Sequence, residues 1–110
     1  MMNEVFLSGK IASISTLTPM SDKCVHLMLQ VCISHQNREK KMKREIYAVN
    51  TWNRLAQWAN RNLEPGMPIT IQGYLSQHKG DNGRMTEITA KRILISQTRS
   101  SAKETQNLQE

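Results

Sequence analysis

From Cys24 to Ser34 every second residue is apolar. Val25, Leu27, Leu29, Val31 and Ile33 fall on one side, and Cys24, His26, Met28, Gln30, Cys32 and Ser34 on the other. A period of two is the signature of a strand with one buried face, and it recurs along the chain. Between Asn3 and Ile11, Val5, Leu7, Gly9 and Ile11 alternate with Glu4, Phe6, Ser8 and Lys10. Between Glu45 and Trp52, Tyr47, Val49 and Thr51 oppose Ile46, Ala48, Asn50 and Trp52. From Met67 to Leu75 the inward set is Met67, Ile69, Ile71, Gly73 and Leu75, with Thr70, Gln72 and Tyr74 outside. A fifth strand, about Arg84 to Ser96, has Ile88 and Ala90 on one parity and Ile93 and Ile95 on the other. That slip at Lys91-Arg92 predicts a β-bulge.

One segment breaks the rhythm. In NRLAQWANRNLEPG, Leu55, Ala59 and Leu63 share a stripe with Trp58 beside it, which predicts a helix of two to three turns. Asn53 is placed to cap its start, and Pro65-Gly66 stops it. The stretch SISTLTPMSDK reads as turn, Gln36 to Arg44 as a polar charged connection, and Gly80-Asp81-Asn82-Gly83 as a tight hairpin turn. The order β-β-β-α-β-β predicts an all-β fold, a five-stranded OB-fold barrel with one α-helix between strands 3 and 4. The outer face of such a barrel binds oligonucleotides. Residues 1–97 read as this one domain and 98–110 as a disordered polar tail.

Composition narrows the class. A hydrophobic content of 38% in 110 residues suits one small core. No apolar run approaches the roughly 20 residues that cross a bilayer, and MMNEVFLSGK lacks the features of a signal peptide. The expected setting is therefore the cytoplasm or its nucleoid, with no membrane. Fifteen Lys and Arg against nine Asp and Glu give a net charge of +6, which suits a polyanionic partner but also serves solubility.

Three pieces carry a resemblance: MNEVFLSGKI, YAVNTWNRLAQWANRNLEPG and PITIQGYLSQHKGDNGRMTEITAKRILI. In order and spacing the chain resembles the bacterial single-stranded DNA-binding protein family, primosomal PriB-like members included, over roughly residues 2 to 96. The resemblance implies sequence-independent binding of single-stranded DNA in replication, recombination, repair or primosome assembly, with replication or recombination proteins as partners. It also implies a homo-oligomer, and the small footprint of one barrel calls for a dimer or tetramer. The family stacks bases on several aromatic rings. Here Trp52 falls at one such position, while Ile46 replaces an aromatic at another, and His35 and Gly80 lie near where two more would fall.

A sequence-blind binder has two resources, stacking and phosphate neutralisation. Of the five aromatic residues, Trp52 and Tyr74 point outward. Trp52 is the stacking candidate, and Tyr74 reads equally as a platform or a plain surface ring. Tyr47 points inward and is expected in the core, and Trp58 is expected to pack with the helix stripe. Phe6 faces out on the first strand, which pairs between subunits in the family, so an interface is its expected use. The run REKKMKR places Arg38, Lys40, Lys41, Lys43 and Arg44 in one connection with a single acid. Such a run is commonly a solvated loop, but the corresponding arm reaches over nucleic acid in the family. Lys10, Arg54, Lys79, Arg84 and Lys91 complete the cationic candidates.

Cys24, His26, Cys32 and His35 have the residue types of a zinc site. Along one strand, however, the two cysteines are roughly 26 Å apart at ~3.3 Å per residue, whereas zinc needs each sulfur within ~2.3 Å. No metal or other cofactor is expected. Cys24 with His26 lacks an orienting third group, and no carboxylate pair flanks a pocket. Gly80 to Gly83 has neither the strand-to-helix setting nor the Lys-Ser/Thr of a phosphate loop. No enzyme is expected. Two alternatives stay open: a protein-docking OB module of the primosome-adaptor kind, and an RNA-binding OB protein.

Overall fold

The computed structural model describes residues 1–96. The segment in which the sequence predicts the polar tail lies outside the described residues. The order is β1 (Val5–Ile14), β2 (Thr18–Ser21), β3 (Cys24–Gln36), β4 (Met42–Trp52), α1 (Asn53–Asn62), β5 (Pro68–Gly80) and β6 (Gly83–Ile95). The strands follow one another as β1-β5-β6-β4-β3-β2, and β1 also pairs with β3. That extra pairing closes β1, β5, β6, β4 and β3 into a five-stranded barrel with the helix between its third and fourth strands. This is the OB architecture the alternation predicts.

The sixth strand corrects the sequence reading. The turn-rich segment contains β2, whose Thr18 and Pro19 lie opposite His26 and Val25. All four of its residues are exposed, so it carries no apolar alternation to read.

Leu27, Leu29 and Val31 of β3, Val49 of β4, Ile69 and Ile71 of β5, and Ile88 of β6 fill the barrel, joined by Ala56 and Ala59 of α1. Alternation places these side chains inward, and the helix packs on β3 and β4. Trp58 packs against this core from a half-buried position, as the stripe implies. The chain turns from β4 into α1 through Asn53, whose φ of +57° is a left-handed conformation that Asn tolerates. Asn53 does not cap the helix. No side-chain cap bond is made, and its Oδ1 accepts the Val25 N–H at 3.2 Å, tying the helix start to the start of β3.

The predicted bulge is present. Gln72 pairs with Arg92 and Gly73 with Ala90, leaving Lys91 as the extra residue on β6. A Cβ on Gly73 would run into the Thr89 carbonyl oxygen, so only glycine admits this close approach. The β5–β6 turn is also as expected, with Gly80 opposite Gly83 and Gly83 at φ +105°.

Three inward assignments fail. Tyr47, Leu75 and Ile95 keep the parity read from the sequence but are exposed to 38%, 50% and 43%. Tyr47 and Leu75 lie where the barrel wall opens: Tyr47 precedes Val49, where β4 first meets β6, and Leu75 follows Gly73, past which β5 pairs with β6 alone. Past Cys32, β3 likewise pairs with β4 alone, and the strands run on as two free ribbons, where an inward-parity side chain meets no opposite wall. Ile95 is at the other end of the barrel, the last residue of β6, opposite Ile69. The connection read as Gln36 to Arg44 shrinks accordingly. Strand β4 begins at Met42 and pairs back as far as Gln36, leaving five residues in the turn.

Gly73→Ala should lower stability by about 1–3 kcal/mol through backbone displacement at the bulge, measured as a reduced midpoint in urea unfolding.

Candidate nucleic-acid interface

The outer surface of β3, β4, β6 and β5 forms a continuous plate whose rows follow from the register. One row runs Met28, Asn50, Thr89, Tyr74. Beside it lie His26 and Trp52, paired across β3 and β4. In the other direction come Gln30 with Ala48 and Glu87 with Ser76, then Cys32 with Ile46 and Met85 with His78, then Ser34 with Arg44.

Trp52 therefore stands outward, as read from its parity. It is half-buried, and its ring lies 4.4 Å from the His26 ring at an interplanar angle of 47°. Tyr74 is also outward, on the far side of β6. The two ring positions are about 10–12 Å apart, taking ~4.8 Å between strands and ~3.3 Å per residue. Lys91, the bulged residue, lies 5.9 Å from the Tyr74 ring centroid and 3.9 Å from Glu4, so its ammonium is already engaged.

Most of the candidate cations collect at one end. Strands β4 and β6 run parallel, so the turns that precede them, 37–41 and 81–82, project from the same end of the barrel, opposite α1. In the first turn Asn37 Oδ1 accepts the N–H groups of Glu39 and Lys41 at 2.9 and 3.0 Å, and Lys40 takes φ +61°. Arg38, Lys40 and Lys41 are exposed there, with Lys41 4.0 Å from Glu39. Lys43 and Arg44 are not in a loop but on β4, opposite His35 and Ser34. In the second ribbon Lys79 and Arg84 lie directly opposite each other. Like charges so placed repel, and Arg84 is held to its own ribbon by a 3.4 Å contact to Gln77 Oε1.

Parity divides these residues between two faces. Arg44 continues the outer plate, and Lys10 of β1 joins it across Cys32. A groove of about 490 Å³ runs between them, lined by Ser8, Lys10, Cys32, Ser34, Arg44 and Gly66 among others. Lys43, Lys79 and Arg84 have inward parity and project from the reverse side of the ribbons, which also holds Tyr47, Glu45 and His35. There the Tyr47 hydroxyl donates to Glu45 Oε1 at 3.0 Å. That bond, then the carboxylate's charge, then burial raise the hydroxyl above the ordinary tyrosine range. Arg54 is exposed in the first turn of α1, away from both ribbons. Phe6 is 70% exposed on β1, opposite Gln72, and lines a shallow hollow with Leu94 and Arg92.

The sequence reading missed the polar centre of the plate. His26 Nε2 and Asn50 Oδ1 are 2.6 Å apart, Asn50 Nδ2 donates to Glu87 Oε1 at 2.6 Å, and His78 Nε2 lies 3.3 Å from the same oxygen. Asn50 is 2% exposed although it sits on the outside of the barrel. Outward parity was legible for His26 and Asn50. Their meeting with Glu87 depends on the parallel β4–β6 pairing, which no local pattern signals. Among the described residues no group of three or more His, Cys, Asp or Glu is arranged to hold a metal ion, and no helix is long and apolar enough to cross a membrane.

Comparison with known proteins fits this geometry. The sequence profile of the Single-strand binding protein family matches residues 2–100. The chain belongs to that family. No curated protein sequence matches it. Among solved structures it resembles the wild-type single-stranded DNA binding protein from Thermus aquaticus, at TM-score 0.76 and 21% identity over 90% of this chain and 52% of that chain. A deletion mutant of the same protein matches at TM-score 0.70, with the same identity and coverage. This single-strand binding family member thus spans about half the length of the Thermus chain, and at that identity the likeness establishes the fold.

Asn50→Ala should cost about 1–3 kcal/mol by leaving Glu87 and His26 without their shared partner, read from equilibrium unfolding in urea.

Proposed function

We propose that this protein binds single-stranded DNA without sequence preference along the outer plate of β3, β4, β6 and β5. The observation that carries the reading is Trp52, a ring standing outward on β4 and sharing its face with Arg44 at the cationic end. Such a plate offers what an unpaired strand needs: a π-surface for any base, and positive charge for its phosphates. Family membership and the name of the Thermus protein support the same ligand. Tyr74 is a second platform, and Arg38, Lys40, Lys41, Arg44 and Lys10 form the phosphate-facing set. Lys43, Lys79 and Arg84, on the reverse of the ribbons, meet the strand where it passes the ribbon tips. The protein acts by binding rather than catalysis, in DNA replication, recombination, repair or primosome assembly in the cytoplasm.

We further propose a homo-oligomer formed through β1. From Val5 to Gly9 this strand pairs with β5 on one side only, and a free edge is a template for a second copy. The exposed Phe6 lies within that stretch.

The test is a titration with oligo(dT) across salt concentrations, with matched RNA alongside. Trp52→Ala should lose about 1–3 kcal/mol of binding free energy. Lys10→Ala with Arg44→Ala should flatten the slope of log affinity against log salt by about 1.4, at ~0.7 per phosphate contact. Absence of length-dependent binding to oligo(dT) at low salt would overturn the proposal in favour of protein docking. Preference for the RNA would overturn the choice of DNA.

A further inference from the structure

Glu87 is in an unexpected place. It is an acid at the centre of the plate proposed to receive a polyanion, its side chain is only 11% exposed, and its charge opposes phosphate. What it does have is hydrogen-bond partners. An ionised carboxylate only accepts, so Glu87 Oε1 forces the Asn50 amide to present Nδ2 to it. Asn50 Oδ1 is thereby turned to the other side, where it is 2.6 Å from His26 Nε2. Since that oxygen can only accept, His26 must carry its hydrogen on Nε2. One acceptor thus fixes the orientation of an amide and the tautomer and tilt of an imidazole in succession. The imidazole is the ring against which the Trp52 indole rests, at 4.4 Å and 47°. Trp52 itself is the last residue of β4, and among the described residues no hydrogen bond to its indole is present.

We propose that Glu87, acting through Asn50 and His26, is a positioning residue for the Trp52 ring, holding the stacking platform ready before the strand arrives. This rests on the reading of Trp52 as a base-stacking residue. A preorganised ring loses less freedom on binding, and the benefit outweighs the repulsion from one mostly covered charge. The two effects have opposite signs, which makes the proposal decidable. If Glu87 acts only as a charge, removing it tightens DNA binding. If it acts as the anchor of the relay, removing its acceptor weakens binding.

The experiment compares Glu87→Met, which removes the acceptor, with Glu87→Gln, which loses the charge but keeps one acceptor oxygen for Asn50. Both are made in a Trp58→Phe background and excited at the red edge of the tryptophan band, so that Trp52 is the only indole and the tyrosines stay dark. In the DNA-free protein, acrylamide should quench Trp52 more strongly in Glu87→Met than in the parent, with Glu87→Gln at the parent's level. Affinity for oligo(dT) should fall about two- to tenfold in Glu87→Met, the net worth of one hydrogen bond, and should hold or rise in Glu87→Gln. Unchanged quenching in Glu87→Met, or tighter DNA binding by it, would overturn the proposal, as would equal losses in the two variants. If Glu87→Met does not fold, His26→Phe decides, because it keeps a ring beside Trp52 but cannot donate to Asn50. Stronger quenching there supports the relay, and parental quenching overturns it. The quenching arm needs no DNA, so failure of the DNA reading, seen as an unaffected Trp52→Ala, is distinguishable from failure of the relay.

Discussion

Two residue pairs decide the shape of the molecule. Val49 opposite Ile88 and Asn50 opposite Thr89 are the parallel contact that joins β4 to β6. A parallel pair cannot be made by a hairpin and needs a long crossover, which here consists of α1 and β5. Since the two strands run the same way, the turns before them must project from the same end. The cationic ribbons are therefore neighbours because of a backbone constraint, and the helix is left at the opposite end. The same contact places Val49 and Ile88 in the core, and Asn50 beside Glu87 on the plate.

Inside and outside are thus organised differently around one seam. The inner side is apolar and closely packed, with Leu27, Leu29, Val31 and Val49 fully buried. The outer side has a buried polar centre, flanked by Trp52 and Tyr74, with cations toward the ribbon tips. Buried polar groups are costly unless satisfied, and here each finds its partner: His26 with Asn50, Asn50 with Glu87, Ser76 with Thr89. The plate is rigid at its middle and charged at its end. That division suits a ligand whose bases need a firm surface and whose phosphates need only nearby charge.

Much of this was legible in the residues, for reasons that differ by element. Strands β3 and β5 declared themselves because each has one buried face, and the slip between Ala90 and Ile93 located the bulge without any structure. The turn at Gly80 to Gly83 was legible from its chemistry. Strand β2 was not, because four exposed residues have no inward face to reveal. Tyr47, Leu75 and Ile95 were given the right side and the wrong burial, since parity says which way a side chain points but not where the wall ends. The run REKKMKR hid the tip of a ribbon, because charged residues on both faces of a strand look like a loop. The relay was beyond reach for a further reason. It joins residues on three strands through a pairing between elements nearly forty positions apart, and only the closed barrel brings them together.

Ultraviolet crosslinking of oligo(dT) to the protein, followed by mapping of the modified peptides, decides whether an unpaired strand lies on the outer plate. A strand on the plate gives adducts at Trp52 and Tyr74, with Phe6 and Trp58 unmodified. Adducts confined to Phe6, or to Tyr47 on the reverse of the ribbons, with Trp52 untouched, would contradict that placement.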